Sequence, residues 1–263
     1  MPSYKLEPGM LHHVKPTGDA DWESLARRGA YFPILCSDGG LRVESEADID
    51  AFLATGETDI ASLFDAISTL LGRELRPAAT LDFGCGAGRL TIPLAKRSGR
   101  VLGCDVAPTM LAHARQNLDR AGFPDLPLIL NDALVALPAG SFDLVCSLLV
   151  FQYIPRSAGF ALIRTLIELL APDGIAALHV MLEQPGDRMR RLQRFLGRSS
   201  TRGMVAVSED ASESVLHLHR YDEMRIAREV EASGARVAGC LPLQGEGTGS
   251  VLIITRQTTV LAI

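Results

Sequence analysis

The stretch TLDFGCGAGRL, residues 80–90, carries an apolar run into three alternating glycines, Gly84, Gly86 and Gly88, and from them into a helix-like segment. Glycine at a strand-to-helix turn reaches torsions that a Cβ hinders and lets a ligand approach the backbone closely. Alone the triplet is a weak pattern, because ordinary tight turns use the same residue. It gains meaning from Asp105, which ends the next strand-like run 21 residues after Gly84. A carboxylate there accepts hydrogen bonds from both hydroxyls of a ribose. A nucleoside site is therefore the reading, set against a glycine-rich turn that merely has an aspartate nearby.

Outward from this turn, short β-type runs alternate with helical segments as far as residue 179, the pattern of a parallel sheet covered on both faces. Strands are predicted at 79–83, 100–105, 126–132, 142–150 and 174–182, with helices near 89–97, 108–121 and 158–170. Pro108 suits a first helical turn, and Pro172-Asp173-Gly174 marks a turn into the fifth strand. A helix over 222–233 precedes strands at 236–241 and 250–256, which the short link QGEGTG makes antiparallel. The expected architecture is α/β: a doubly wound, seven-stranded, mostly parallel sheet with a C-terminal antiparallel hairpin, its core formed by residues 76–182 and 220–263. Residues 1–75, with helices at 21–28 and 58–71, form an N-terminal helical lead-in or cap. Residues 183–219 form an insertion, either a substrate-side lid or a long surface connection.

Two nucleoside ligands compete for the turn. Dinucleotides fit G-x-G-x-x-G, whereas this chain reads G-x-G-x-G followed by Arg89. Asp82, two residues before the first glycine, would repel a pyrophosphate and attract an ammonium. S-adenosylmethionine combines a ribose with that ammonium and with a carboxylate suited to Arg89 and to amides near the helix start.

On these residues the chain resembles the class I S-adenosylmethionine-dependent methyltransferases of small-molecule type, whose first motif is an acid, a spacer and G-x-G-x-G. The resemblance covers about residues 60–256. It implies that Asp105 in LGCDVAPTML holds the ribose and Val106 flanks the adenine. Asp132 and Ala133 in LNDALVALP match an Asp-Ala pair near the adenine amino group, and SFDLVCSLLV matches the fourth strand, putting Ser147 and Leu148 at the methionyl end. LLAPDGIAALHV is similar to an L-x-P-G-G turn, with Asp173 in place of the first glycine. WESLARRGAYFPIL and AFLATGETDIASLF resemble the family's helical lead-in, which places Tyr31 and a Thr55-Gly56 turn near the methionine tail, unless Tyr31 and Phe32 only pack this subdomain. The implied activity is methyl transfer from S-adenosylmethionine to an oxygen or nitrogen of a small metabolite, secondary metabolites included. A non-catalytic partner that binds the same cofactor is the alternative; a nicotinamide-dependent oxidoreductase lacks its third fingerprint glycine here.

Methyl transfer asks mainly that a nucleophile be held in line, with a general base only where that nucleophile arrives protonated. Open α/β sheets place such sites at the carboxyl ends of their strands. That selects Tyr153 in FQYI, where relatives often carry a histidine; with a pKa of about 10, tyrosine orients a substrate rather than deprotonating it. His217 and His219 share one side of an extended segment and suit a base, a metal pair or a solvated edge. No third ligand stands at a recognisable spacing, so no metal is expected, and His217 is the candidate base. His179, inside an apolar strand, reads as a packed, hydrogen-bonded histidine. The DRMRR run at 187–191 reads as the exposed face of a helix that buries Met189, Leu192, Phe195 and Leu196, in preference to a patch for acidic substrates.

Composition narrows the partners. Among 263 residues 47% are hydrophobic, ample for a core, and a net charge of −5 offers no field for nucleic acid or anionic membrane. A small-molecule acceptor is the expected partner. Five scattered cysteines and an N-terminus without an apolar signal-peptide core point to a cytoplasmic protein with reduced thiols.

Overall fold

The computed structural model describes residues 19–29, 45–184, 204–206, 215–242 and 249–256. Two helices lead in, α1 (Asp19–Gly29) and α2 (Glu46–Leu71). Helix α2 begins well before the expected residue 58 because Ser45 and Asp48 form a capping box: the Ser45 hydroxyl accepts from the Asp48 N–H, and the Asp48 carboxylate accepts from the Ser45 N–H. Thr55 and Gly56 consequently lie in mid-helix, not in a turn.

In chain order there follow β1 (Ala79–Phe83), α3 (Thr91–Ala95), β2 (Arg100–Asp105), α4 (Pro108–Arg120), β3 (Leu128–Leu130), β4 (Phe142–Ser147), α5 (Arg156–Glu168) and β5 (Leu170–Met181). Then come β6 (Met204–Ala206), β7 (Val215–His217), α6 (Glu223–Ala232), β8 (Ala235–Pro242) and β9 (Gly249–Arg256). Seven strands form one sheet in the order β3-β2-β1-β4-β5-β9-β8, while β6 and β7 make a separate antiparallel ribbon. The first five are parallel, and β9 lies antiparallel between β5 and β8, the expected hairpin. Strand β1 is buried along its whole length because both faces are covered. Leu81 and Phe83 pack with residues of α5 and α6, while Leu144 and Cys146 of β4 pack with residues of α2, α3 and α4.

Several expected boundaries move. The helix expected at 89–97 contracts to α3, since left-handed torsions at Gly84, Gly86 and Gly88 prolong the turn. The third strand stops at Leu130 and passes into a 3-10 turn, Asn131–Ala136. The fourth stops at Ser147, because Leu149 adopts φ 63 and breaks the extended backbone before a 3-10 turn at Phe151–Tyr153. Strand β5 starts early, at Leu170, and absorbs its Pro-Asp-Gly step by a register shift with Asp173 at φ 62. Aspartate is among the few residues that tolerate this conformation, which is how it stands where the resembled family has glycine.

Strands run outward from β1 to β2 and β3 on one side and from β4 to β5 on the other. Such a topological switch opens a crevice at the carboxyl ends of β1 and β4. The insertion is rooted beside it. Tyr221 N–H donates to Met181 O, Glu183 N–H to Tyr221 O and His219 N–H to Gln152 O, at 2.7, 2.9 and 2.7 Å. No helix among the described residues is long and apolar enough to cross a membrane.

Candidate active site at the switch point

The glycine turn is tied to the end of β2. The N–H groups of Gly84 and Cys85 both donate to Cys104 O, and Gly86 N–H donates to Asp105 Oδ2 at 2.8 Å. Asp105 Oδ1 accepts from Ala107 N–H at 2.9 Å. Three amides, those of Gly86, Ala107 and Val106, thus face the carboxylate, which with four lone pairs still has acceptor capacity for a ligand hydroxyl. Gly84 is at φ 75, and a Cβ there would overlap the side chain of Val150, so only glycine lets the turn and the β4 corner meet. Burial raises the Asp105 carboxyl above its ordinary range, opposed by the amides of Ala107, Gly86 and Val106.

Asp82 is almost wholly buried. Its Oδ2 accepts from the Thr91 hydroxyl at 2.6 Å, but Oδ1 is buried with no hydrogen-bond partner. Burial pushes this carboxyl up to about 7 against the opposing pull of Thr91 and Arg89. A buried acceptor without a protein donor is costly and suits a cationic ligand group.

Arg89, also buried, turns toward α2. Its Nη1 donates to Asp59 Oδ2 at 2.5 Å and to Thr55 Oγ1 at 3.2 Å, so both of its described contacts use one nitrogen and leave Nε and Nη2 for an anion. Gly56 permits this docking, since a Cβ there would overlap the Arg89 carbonyl oxygen. Gly56→Ala should therefore lower the unfolding free energy by about 1–2 kcal/mol in urea titration, the overpacking clash exceeding the helix-propensity gain. A more stable variant would show that α2 does not bear on the turn.

Beside Asp105 and Arg89 lies a cavity of about 490 Å³; Asp82 and Gly88 stand behind its walls and do not line it. Its walls include the turn from Gly84 to Gly86, Arg89, Asp105, Val106, the corner Leu148 to Val150 and Tyr153. Asp132, by contrast, is exposed on its 3-10 turn, and neighbouring Asn131 faces the cavity with Leu134; Ala133 is half-buried outside the walls. The early end of β3 turns Asp132 away. Ser147 is fully buried behind the corner, its hydroxyl without a partner. Tyr153 meets Trp22 of α1 edge to face at 5.0 Å, and both line the cavity. Glu23 next to Trp22 accepts from the N–H and hydroxyl of Thr109 at the start of α4, which holds its carboxyl below the usual range. His179 is packed and hydrogen-bonded as read, accepting from Leu149 N–H; burial lowers it to about 4.

The backbone of His217 pairs with Met204, but its side chain, like Tyr31 and the DRMRR run, lies outside the described residues. Among the described residues no cluster of His, Cys, Asp and Glu could hold a metal. Sequence reasoning missed Trp22, Asn131 and Leu149. Trp22 and Asn131 lie inside the segments WESLARRG and LNDALVALP but nothing local marks them, and leucine gives no hint of a positive φ.

Comparison with known proteins gives a consistent picture. Residues 80–174 match a family described as a methyltransferase domain. The trans-aconitate 2-methyltransferase of Methylobacterium radiotolerans is 35% identical over 119 residues, 44% of this chain and 43% of that protein. The malonyl-(acyl-carrier protein) O-methyltransferase of Geobacter sulfurreducens is 29% identical over 229 residues, 76% of this chain and 80% of that protein. The match spans about half the length of the first-named relative and of others like it. In fold, the amino pentose methyltransferase CalS10 of Micromonospora echinaspora, solved with S-adenosylmethionine bound, aligns with TM-score 0.56 at 20% identity, covering 94% of this chain and 100% of that one.

Proposed function

We propose that the chain transfers the methyl group of S-adenosylmethionine to an oxygen or nitrogen of a small metabolite, a reading supported by the match of residues 80–174 to a methyltransferase domain and by the methyltransferase-like order of the sheet. The observation that carries this reading is the pair of buried carboxylates flanking the glycine turn: Asp105, which lines the cavity with acceptor capacity to spare, and Asp82, with a buried Oδ1 that lacks a protein donor. Together they suit the ribose diol and the ammonium of one ligand. Val106 packs against the base, the unused nitrogens of Arg89 take the ligand carboxylate, and Leu148 walls the methionyl end with Ser147 behind it. In place of the expected Asp132-Ala133 pair, Asn131 is the polar group offered to the base.

When bound, S-adenosylmethionine supplies a methyl group on a sulfonium, an electrophile that needs little further activation. The residues of this chain hold the acceptor in line and keep water out. Tyr153, braced by Trp22, orients the acceptor with its hydroxyl. His217 is the base for an acceptor that arrives protonated, on a segment returning to the Tyr153 turn through the His219–Gln152 hydrogen bond. Trp22 of the N-terminal lead-in walls the acceptor side with Tyr153, beside the point where the chain returns to β5 at Tyr221.

Calorimetry with S-adenosylhomocysteine, followed by mass spectrometry of products from a panel of alcohols, phenols, carboxylic acids and amines, tests the proposal. A folded sample that binds no cofactor would sink it. Binding without any methylated product would favour the non-catalytic partner.

Asp82 adds a pH signature. With its carboxyl raised to about 7, the ligand-free protein holds a proton there that the unfolded chain, with an ordinary aspartate, has already lost. Ligand-free stability therefore falls as pH rises from about 4 to 7. An ammonium needs the ionised carboxylate, so cofactor affinity should weaken by up to about tenfold per pH unit below 7 and level off above it. Calorimetry between about pH 5.5 and 7.5 checks this, and Asp82→Asn should flatten the slope. An unchanged slope in that variant would contradict the assignment.

A further inference from the structure

Strand β5 runs beside the end of β4, and His179 is the residue it presents to the corner that follows. Its Nδ1 lies 3.3 Å from the nitrogen of Leu149, and the ring is 3% exposed. Leu149 and its neighbours Leu148 and Val150 all line the cavity. Leu149 is one of two non-glycine residues with positive φ among those described, a conformation in which a Cβ is strained. Strain of this kind persists only where the surroundings over-determine it.

A partly buried N–H rotated out of the strand ladder needs an acceptor. At Leu149 that acceptor is an imidazole nitrogen. Accepting requires Nδ1 to be bare, so in the neutral ring the proton sits on Nε2. Room for that edge of the ring exists because residue 249 is glycine: a Cβ there would overlap Nε2. Burial, which disfavours a charged ring, supports the same protonation state.

We infer that His179 is a positioning residue: as the neutral Nε2–H tautomer it holds Leu149 in its left-handed turn and thereby sets the cavity wall against the reacting end of the cofactor. It touches no reacting atom and moves no proton. The inference rests on the methyltransferase reading for the identity of that cofactor.

His179→Leu retains apolar bulk but leaves the Leu149 N–H without an acceptor, whereas His179→Asn restores one close to the same place. Val180→Ala, a fully buried neighbour on the opposite face of β5, is the control for destabilisation alone. Calorimetry with S-adenosylhomocysteine on the full chain should show affinity weakened about tenfold in His179→Leu and largely recovered in His179→Asn. In Val180→Ala it should stay within about twofold despite a comparable fall in Tm. Nitrogen-15 NMR of the wild-type ring should show a bare Nδ1 and a protonated Nε2. Unchanged affinity in His179→Leu, an asparagine variant no better than the leucine one, or a protonated Nδ1 overturns the inference. If the wild type binds no cofactor at all, the methyltransferase reading fails and the positioning role falls with it. The ring-nitrogen shifts then report separately whether His179 accepts from Leu149.

Discussion

Replacing Tyr221 with alanine will lower the unfolding free energy by about 3–5 kcal/mol, the cost of emptying a large aromatic site in a packed core. Tyr221 is wholly buried and meets Phe151 and Phe160 edge to face, with ring centroids 6.1 and 5.5 Å away. Its hydroxyl lies 2.7 Å from Ile154 O and 3.0 Å from Phe151 O, sharing one proton between the two carbonyls that bracket the 3-10 turn bearing Tyr153. Even the neighbouring helix is shaped around it, since a Cβ at Gly159 would overlap the hydroxyl. Tyr221→Phe keeps the ring and loses only the hydrogen bond, so its cost should be about 1–2 kcal/mol. Urea denaturation of the two variants gives the comparison. If alanine costs no more than phenylalanine, the ring is not part of the core and the turn is held some other way. Because the ring also seats the turn that bears Tyr153, Tyr221→Ala should weaken acceptor binding more than cofactor binding.

Asp105→Ala should weaken S-adenosylhomocysteine binding by about 1.5–3 kcal/mol, roughly 10- to 150-fold in Kd, through loss of two charge-assisted contacts to the ribose. The substitution also strips the acceptors from Gly86 N–H and Ala107 N–H, so the turn itself loosens. Asp105→Asn keeps one oxygen but sets an amide donor against a backbone N–H, and its affinity should fall between those of wild type and alanine. Calorimetry with S-adenosylhomocysteine reads both. A Kd unchanged in the alanine variant would remove Asp105 from the site and with it the nucleoside assignment.

Most of the core was legible because its signals are local. Alternating apolar runs and helices gave five parallel strands. The short glycine-rich link gave the final hairpin, and Gly84 with Asp105 marked the switch-point crevice that the tertiary structure opens. What went astray was the detail of ends and faces. The run 126–132 contains one apolar stretch, but only three of its residues find a partner on β2, and the remainder coils so that Asn131 turns inward and Asp132 outward. Helix α2 was read too short because Thr55-Gly56 reads locally as a turn, although Ile49, Phe52 and Leu53 before it already pack in the core.

Residue types and spacing by themselves determined the α/β class, the glycine turn between strand and helix and the closing hairpin, since each depends on neighbours within a few residues or on one repeated unit. Tertiary structure alone decided which groups confront that ligand. Arg89 is paired with Asp59 on a helix 30 positions earlier, Tyr153 rests on Trp22, and Leu149 N–H donates to His179. Each of these is a contact between distant segments whose geometry is imposed by packing the helices onto the sheet, and no local pattern encodes it.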